Sequence, residues 1–173
     1  MKKAMDEYHI DEGKCAIYYN NIKQIGFATK TRSFFFKMYA GLLYGNSKLC
    51  IFGYADSKKC ERCGYSDQDI QHLLLDCPKV EDFRQAVYTK LGKNFTKAEE
   101  MLGSDDLSYS FILLHMNRYI YQRKYLELAL TPYEFYAILR MEKRVEEEIA
   151  IRTKTLNKHN HKWLSILSTG ILD

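Results

Sequence analysis

Between Cys60 and Cys77 the chain reads CERCGYSDQDIQHLLLDC, a C-x2-C-x8-H-x4-C spacing that limits the possible folds more than any other stretch. A Cys-x2-Cys turn presents two thiolates to one ion, Gly64 lets the backbone fold back after it, and His72 and Cys77 span just over one helical turn. Three sulfurs and one imidazole make a closed tetrahedral set, the pattern of a structural Zn2+, whereas a catalytic zinc keeps one position open for water. Cys60, Cys63, His72 and Cys77 are therefore the expected ligands of a single zinc ion, and no hydrolytic role is expected of it. The bland alternative is three small buried cysteines beside an unrelated histidine. It does not explain why four ligand-type residues fall at knuckle spacing within eighteen residues.

The use of the other cysteines agrees. Five is an odd count, and the N-terminus MKKAMDEYHIDEGKC lacks the apolar run of a secretory leader, so a disulfide framework is not expected. No window approaches the roughly 18 uncharged apolar residues of a membrane span. The expectation is an intracellular protein of nucleus or cytoplasm, without membrane contact. Cys15 and Cys50 have no paired partner in the sequence and read as small buried hydrophobes, Cys50 beneath the knuckle.

Hydrophobic periodicity around the knuckle is helical. Phe34, Phe35, Met38 and Leu42 predict a helix over about 31–44, with Thr31 or Ser33 as cap and Gly45-Asn46 as stop. Asp67 or Asp69 can cap a turn carrying His72 to Leu75. Val80, Phe83, Val87 and Leu91 predict a further helix over 79–91, closed by Gly92. Ser108 can start a long helix with Ile112, Leu113, Met116 and Ile120 inside, ending near Leu130. Thr131, Pro132 and Glu134 form a capping box ahead of a charged helix. Its narrow stripe of Ile138, Met141, Val145, Ile149 and Leu156 is the expected buried face, and Glu146, Glu147 and Glu148 the solvated one.

With two prolines, no useful period-two run and no repeat, the fold class is mainly α. It is expected to be a small zinc-stabilised helical domain with a CCHC knuckle between helices, followed by two long helices. Three segments follow: a lead-in over 1–28 that can be the remnant of a preceding domain, a zinc-knuckle domain over 29–92, and a C-terminal helical segment over 93–173 packing on it.

The stretch FFFKMYAGLLYGNSKLCIFGYADSKKCERCGYSDQDIQHLLLDCPKVEDF resembles the zinc-binding region that follows the reverse transcriptase domain in LINE-type, non-LTR retrotransposon proteins. The likeness rests on Gly41-Leu42-Leu43, Phe52-Gly53, Cys60 to Gly64 and His72 to Pro78, and covers roughly residues 27–90. The C-terminal half, from SFILLHMNRYIYQRK to HKWLSIL, is similar to the segment closing such polyproteins but carries no diagnostic motif. Retroviral nucleocapsid knuckles share the ligand set with a shorter gap before the histidine, so the eight-residue gap favours the LINE type. The resemblance implies binding of RNA or DNA in support of target-primed reverse transcription, beside a reverse transcriptase core as partner.

Catalytic sets are not expected. Tyr54-Ala55-Asp56-Ser57 mimics a polymerase YADD box, but the second aspartate is Ser57, and two-metal chemistry needs several converging carboxylates. A turn with Asp56 as local cap explains it better. No endonuclease cluster is recognisable, and the lone His115 reads as a core or boundary residue.

A basic stretch supplies the candidate interface. Lys30, Arg32, Lys37, Lys48, Lys58 and Lys59 face one acid, Asp56, and Arg62 lies inside the knuckle turn. Phosphates need such a surface, and Phe36, Tyr39, Tyr44 and Tyr54 could stack on unpaired bases. The competing reading is that the lysines merely solubilise an aromatic core, to which Phe34 and Phe35 belong. The net charge of +4 favours neither. A second basic run, Arg152 to Lys162, is either an electrostatic tail or a helix end favoured by its dipole, and His159 and His161 make no second metal site.

Overall fold

The computed structural model describes residues 20, 23 and 29–173, so the lead-in assigned to 1–28 and Cys15 lie outside it apart from Asn20 and Lys23. The described residues are mainly helical: α1 (Thr29–Tyr39), α2 (Asn46–Ile51), a π-helical turn (His72–Asp76), α3 (Pro78–Leu91), α4 (Lys97–Leu102), α5 (Leu107–Tyr125), α6 (Pro132–Arg152) and α7 (Leu156–Leu167). No strand occurs among them; Lys59 and Asp67 form an isolated antiparallel bridge. No described helix is long and apolar enough to cross a membrane.

The centre of the molecule is α5. Phe111, Ile112, Leu113, Leu114, Met116 and Ile120 are buried on every side of it, as a helix must be when neighbours surround it. α1, α4, α7 and the π turn all pack on it. One continuous apolar core runs from Phe35 in α1 through Leu73 to Leu75 and α3 to Trp163, Ile166 and Ile171. The C-terminal segment thus shares its core with the knuckle segment.

α3 forms where the sequence places it, with Val80, Phe83, Val87 and Leu91 buried and Gly92 left-handed at φ 61°. Other boundaries differ for local reasons. α1 stops at Tyr39 because Gly41 turns left-handed at φ 68° and the Leu42 amide bonds back to the Lys37 carbonyl at 2.8 Å. Gly45-Asn46, expected as a stop, instead opens α2. A Cβ on Gly45 would meet the Gln68 carbonyl oxygen at 2.2 Å, so a glycine is needed where α2 touches the knuckle. α4 went unpredicted although Thr96 and Glu99 form a complete capping box. α5 is capped by Asp106, whose carboxylate accepts from the amides of Ser108 (2.7 Å) and Tyr109. Ser108 is buried instead, its hydroxyl against that of Ser165 on α7. α5 ends at Tyr125, short of Leu130, and Glu127 turns the chain at φ 52°.

The capping box of α6 is half formed. The Thr131 hydroxyl accepts from the Glu134 amide, but Glu134 bonds back to that hydroxyl at 2.7 Å, and the Thr131 amide donates to the Tyr119 hydroxyl at 3.2 Å. The expected buried stripe of α6 faces outward: Met141 is 68% exposed, Val145 53% and Ile149 54%. The buried positions are Phe135, Leu139 and Ala150. The helix does not run on to Leu156, because Lys154 turns left-handed at φ 56° and α7 folds back on α5 and α6. The return buries Trp163 and Ile166, a hydrophobic gain that the sequence pattern of α6 alone does not reveal.

Glu146 points inward, contrary to its expected place on the solvated face. Its carboxylate accepts from Lys162 Nζ (2.9 and 2.8 Å) and Trp163 Nε1 (2.8 Å). Beside it Glu142 pairs with Arg118 at 2.8 Å and lies 3.1 Å from Nδ1 of the buried His115. Glu148 is exposed as expected.

Candidate metal centre

Two backbone devices bring the four knuckle residues together. In the first, the Gly64 amide bonds to the Cys60 carbonyl at 2.7 Å, closing the Cys-x2-Cys turn, with Gly64 left-handed at φ 75°. The bridge between Lys59 and Asp67 then returns the chain beside its own entry. In the second, the Cys77 amide bonds to the His72 carbonyl at 2.9 Å, an i→i+5 closure. Five residues of α-helix would set two side chains about 140° apart around the axis. The wider π turn, with Cys77 already extended at φ −70°, ψ 125°, is what lets His72 and Cys77 serve one site. Asp69 accepts from the His72 amide at 2.7 Å, capping this turn as the sequence suggests.

The ligand atoms of Cys60, Cys63, His72 and Cys77 all lie within 4.8 Å of one another. Cys60 and Cys77 Sγ are 3.9 Å apart, and Cys63 Sγ is 3.4 Å from His72 Nε2. All three cysteines are free thiols, and the sulfur separation is far beyond the ~2.05 Å of a disulfide. It matches two sulfurs each about 2.3 Å from a shared tetrahedral ion, which stand about 3.8 Å apart. The donor set therefore fits one metal ion with four protein ligands. Cys60, His72 and Cys77 are buried and Cys63 is partly exposed, which suits a structural ion sealed on its inner side. Among the described residues no other group of three or more histidine, cysteine or carboxylate side chains converges this way.

The thiols sit in unequal surroundings. Burial raises the Cys63 pKa, but hydrogen bonds from the Ser66 and Tyr65 backbone, with His72 and Cys60, outweigh it and bring the thiol down to about 6. Burial pushes Cys77 up to about 11, against the Lys79 and Val80 backbone and helped by the neighbouring Cys60. A cation among them reverses that cost, because thiolate is the form that binds metal.

A supporting shell went unseen in the sequence. Gln68, fully buried, donates from Nε2 to Cys60 Sγ at 3.3 Å. The Asn46 side chain donates to the Lys59 carbonyl and to Glu61 Oε1, each at 3.0 Å, tying α2 to the knuckle. Buried Lys124 of α5 feels the charge of Glu61, Arg62 and Cys60, with burial lowering its pKa most. The one local sign is Gly45-Asn46 ahead of the cysteines, a pair that reads equally well as a helix stop.

Of the candidate nucleic-acid contacts, Lys30, Arg32, Lys37, Lys48, Lys58 and Lys59 are all exposed. Lys30 and Lys37, seven apart, share one face of α1, while Arg32 lies with Phe36 on another. Lys48 reaches the Gly41 carbonyl at 3.4 Å and lies over the Tyr44 ring; Lys59 pairs with Asp67 at 3.1 Å. Arg62 is half-buried, its Nη2 donating to the Ile120 carbonyl at 3.0 Å, so it clamps the knuckle to α5.

The aromatics divide similarly. Phe35 is core and Phe34 packs on it and on Tyr121. The Tyr39 hydroxyl donates to the Leu102 carbonyl, and Tyr44 stacks edge-on against Phe52. Phe36 and Tyr54 stand exposed as expected, joined by Ile51, Phe52 and Tyr65. In the Tyr54 to Ser57 loop it is Ser57, not Asp56, that caps, accepting from the Lys59 amide at 3.1 Å. Cys50 is half-buried in α2 and outside the ligand group. His159 is buried near Trp163, with ring centroids 6.2 Å apart.

Compared with known families, curated proteins and solved structures, the chain matches none.

Proposed function

We propose that this chain is a non-catalytic, zinc-stapled nucleic-acid-binding module, resembling the C-terminal zinc-binding region of LINE-type reverse transcriptases and working beside a polymerase core. Zinc is the metal that three thiolates and one imidazole in a closed tetrahedron suit best, and a closed shell leaves no position for substrate. The observation that carries the reading is the composition of the surface next to the metal group. Lys58 and Lys59 enter the knuckle, Tyr54 (82% exposed) precedes them and Tyr65 (85% exposed) follows Gly64. Exposed aromatics beside cations are what an unpaired base and its phosphate require.

Titrating labelled single-stranded RNA and DNA against the zinc-loaded chain at two salt concentrations tests it. Binding at low salt should fall steeply at high salt, and Lys58→Glu with Lys59→Glu should weaken it roughly tenfold or more. No binding at low salt, or unchanged binding by that variant with its metal content intact, overturns the assignment.

A second reading is favoured by one specific observation. The outward stripe of Ile138, Met141, Val145 and Ile149 on α6 is apolar surface of the kind a protein partner covers. In that role the metal group orients helices and α6 is the docking element. The two functions use different surfaces and are compatible.

A further inference from the structure

The uncovered stripe of α6 comes with a charge order that selects its partner. Ile138, Met141, Val145 and Ile149 recur every three or four residues along about 16 Å of helix, the spacing of a coiled-coil seam. The inward side of the helix is satisfied separately through Phe135, Leu139 and Ala150. On one flank of the stripe the exposed cation Arg144 stands just before Val145 and exposed Glu148 about one turn after it, whereas Arg140 and half-buried Glu147 lie on the far side of the helix, Arg140 donating to the Leu172 carbonyl at 3.3 Å. Lys143 and Glu147 pair within the helix at 3.5 Å, and Glu146 is turned toward Lys162 and Trp163.

A second α6 laid parallel would set the Arg144 and Glu148 flank of one copy against the opposite flank of the other, where Glu142 and Glu146 are already held by Arg118, Lys162 and Trp163. Laid antiparallel about a two-fold axis at Val145, it sets Arg144 of each copy toward Glu148 of the other. The same axis brings Met141 opposite Ile149 and Val145 opposite its own mate. Such an arrangement is isologous, so one patch complements itself and the assembly closes at two.

We propose that this chain self-associates through α6 as an antiparallel pair centred on Val145. The inference rests on the docking reading above and names its occupant as a second copy of the chain. The seam is shorter than the three to four heptads that sustain a free coiled coil, so the pair is weak and depends on protein concentration.

Sedimentation of the zinc-loaded full chain over a roughly hundredfold concentration range decides it. The expected result is a mass rising from monomer toward dimer. Val145→Glu, at a solvent-facing position, should stay monomeric throughout with unchanged helicity and metal content. Arg144→Glu alone should raise the dissociation constant roughly fivefold to tenfold, and adding Glu148→Arg should restore it, because the swap keeps opposite charges facing. A dimer indifferent to Val145→Glu overturns the proposal, as does a charge swap that fails to restore pairing. A monomeric wild type that binds an apolar dye lost in Val145→Glu overturns self-pairing and leaves the docking reading standing. A monomeric wild type without that dye difference overturns both.

Discussion

Arg84 donates from Nε and Nη2 to the carbonyl oxygen of Leu74, at 3.1 and 2.9 Å, and so holds the π turn that carries His72. The guanidinium is fully buried and also reaches the Asn117 side chain at 2.5 Å and the Tyr88 hydroxyl at 3.2 Å. Tyr88 in turn donates to Glu100, and Asn117 Nδ2 to the Glu100 carbonyl, so one polar network joins the turn that carries His72 to α3, α4 and α5. Burial raises the Tyr88 hydroxyl pKa most, which keeps it a donor.

Arg84→Leu leaves several of these buried groups unpaired, and unfolding by denaturant should show a loss of about 3–5 kcal/mol. Arg84→Lys should recover little, because an ammonium cannot reproduce the planar fork. A loss below about 1 kcal/mol for Arg84→Leu would mean that the network does not support the turn.

What the sequence made legible follows from which interactions are local. Ligand spacing depends on a few neighbouring residues, and the four knuckle positions do converge. The apolar period of α3 is equally local. The inward face of α6 is not, because it is set by Arg118, Lys162 and Trp163 from other helices, which accept two glutamates toward the core. Once those carboxylates have partners, the stripe of Ile138, Met141, Val145 and Ile149 loses its claim to the interior. The same distinction separates Arg62 from Lys58: only the arginine finds a carbonyl on α5.

Removing the metal should unfold the knuckle first. Little apolar packing surrounds the 52–67 loop, whereas isolated zinc peptides gain on the order of 10 kcal/mol from the ion. Chelation, or Cys63→Ser, should abolish amide exchange protection across residues 55–67 before the π turn and α5 loosen. Protection and thermal midpoint indifferent to both treatments would refute a structural metal.

Acid should destabilise the α5–α6 contact through His115. Burial holds its pKa well below 6.5, and the nearby Arg118 and Lys162 lower it further despite Glu142 at 3.1 Å. Burial meanwhile raises the Glu142 pKa, opposed by Arg118, so this carboxyl takes up its proton more readily in the folded chain and partly offsets the effect of His115. At His115 the unfolded chain therefore takes up a proton that the folded chain refuses, and stability, level above about pH 6.5, falls as pH drops below it. His115→Gln should remove up to about 1.4 kcal/mol per pH unit from that slope. Because metal binding releases protons and therefore weakens in acid, the comparison is made with both proteins lacking metal or both saturated with it. Identical slopes for His115→Gln and wild type would exclude this source.

Three consecutive glutamates on α6 should behave differently. Glu146 holds Lys162 and the indole N–H of Trp163, the chain's single tryptophan. Glu147 sits half-buried in an i,i+4 pair with Lys143, and Glu148 faces solvent. Glu146→Ala removes the acceptor of a buried indole donor and half of an ion pair, a loss of about 2–4 kcal/mol, with a shift in tryptophan emission at the same wavelength of excitation. Glu147→Ala should cost about 0.5 kcal/mol or less, as exposed helix pairs do. Glu148→Ala should lie within about 0.5 kcal/mol of wild type in dilute solution, without changing the emission. Equal effects at all three positions would mean that α6 is turned differently about its axis, with Glu146 in solvent and Trp163 bonded elsewhere.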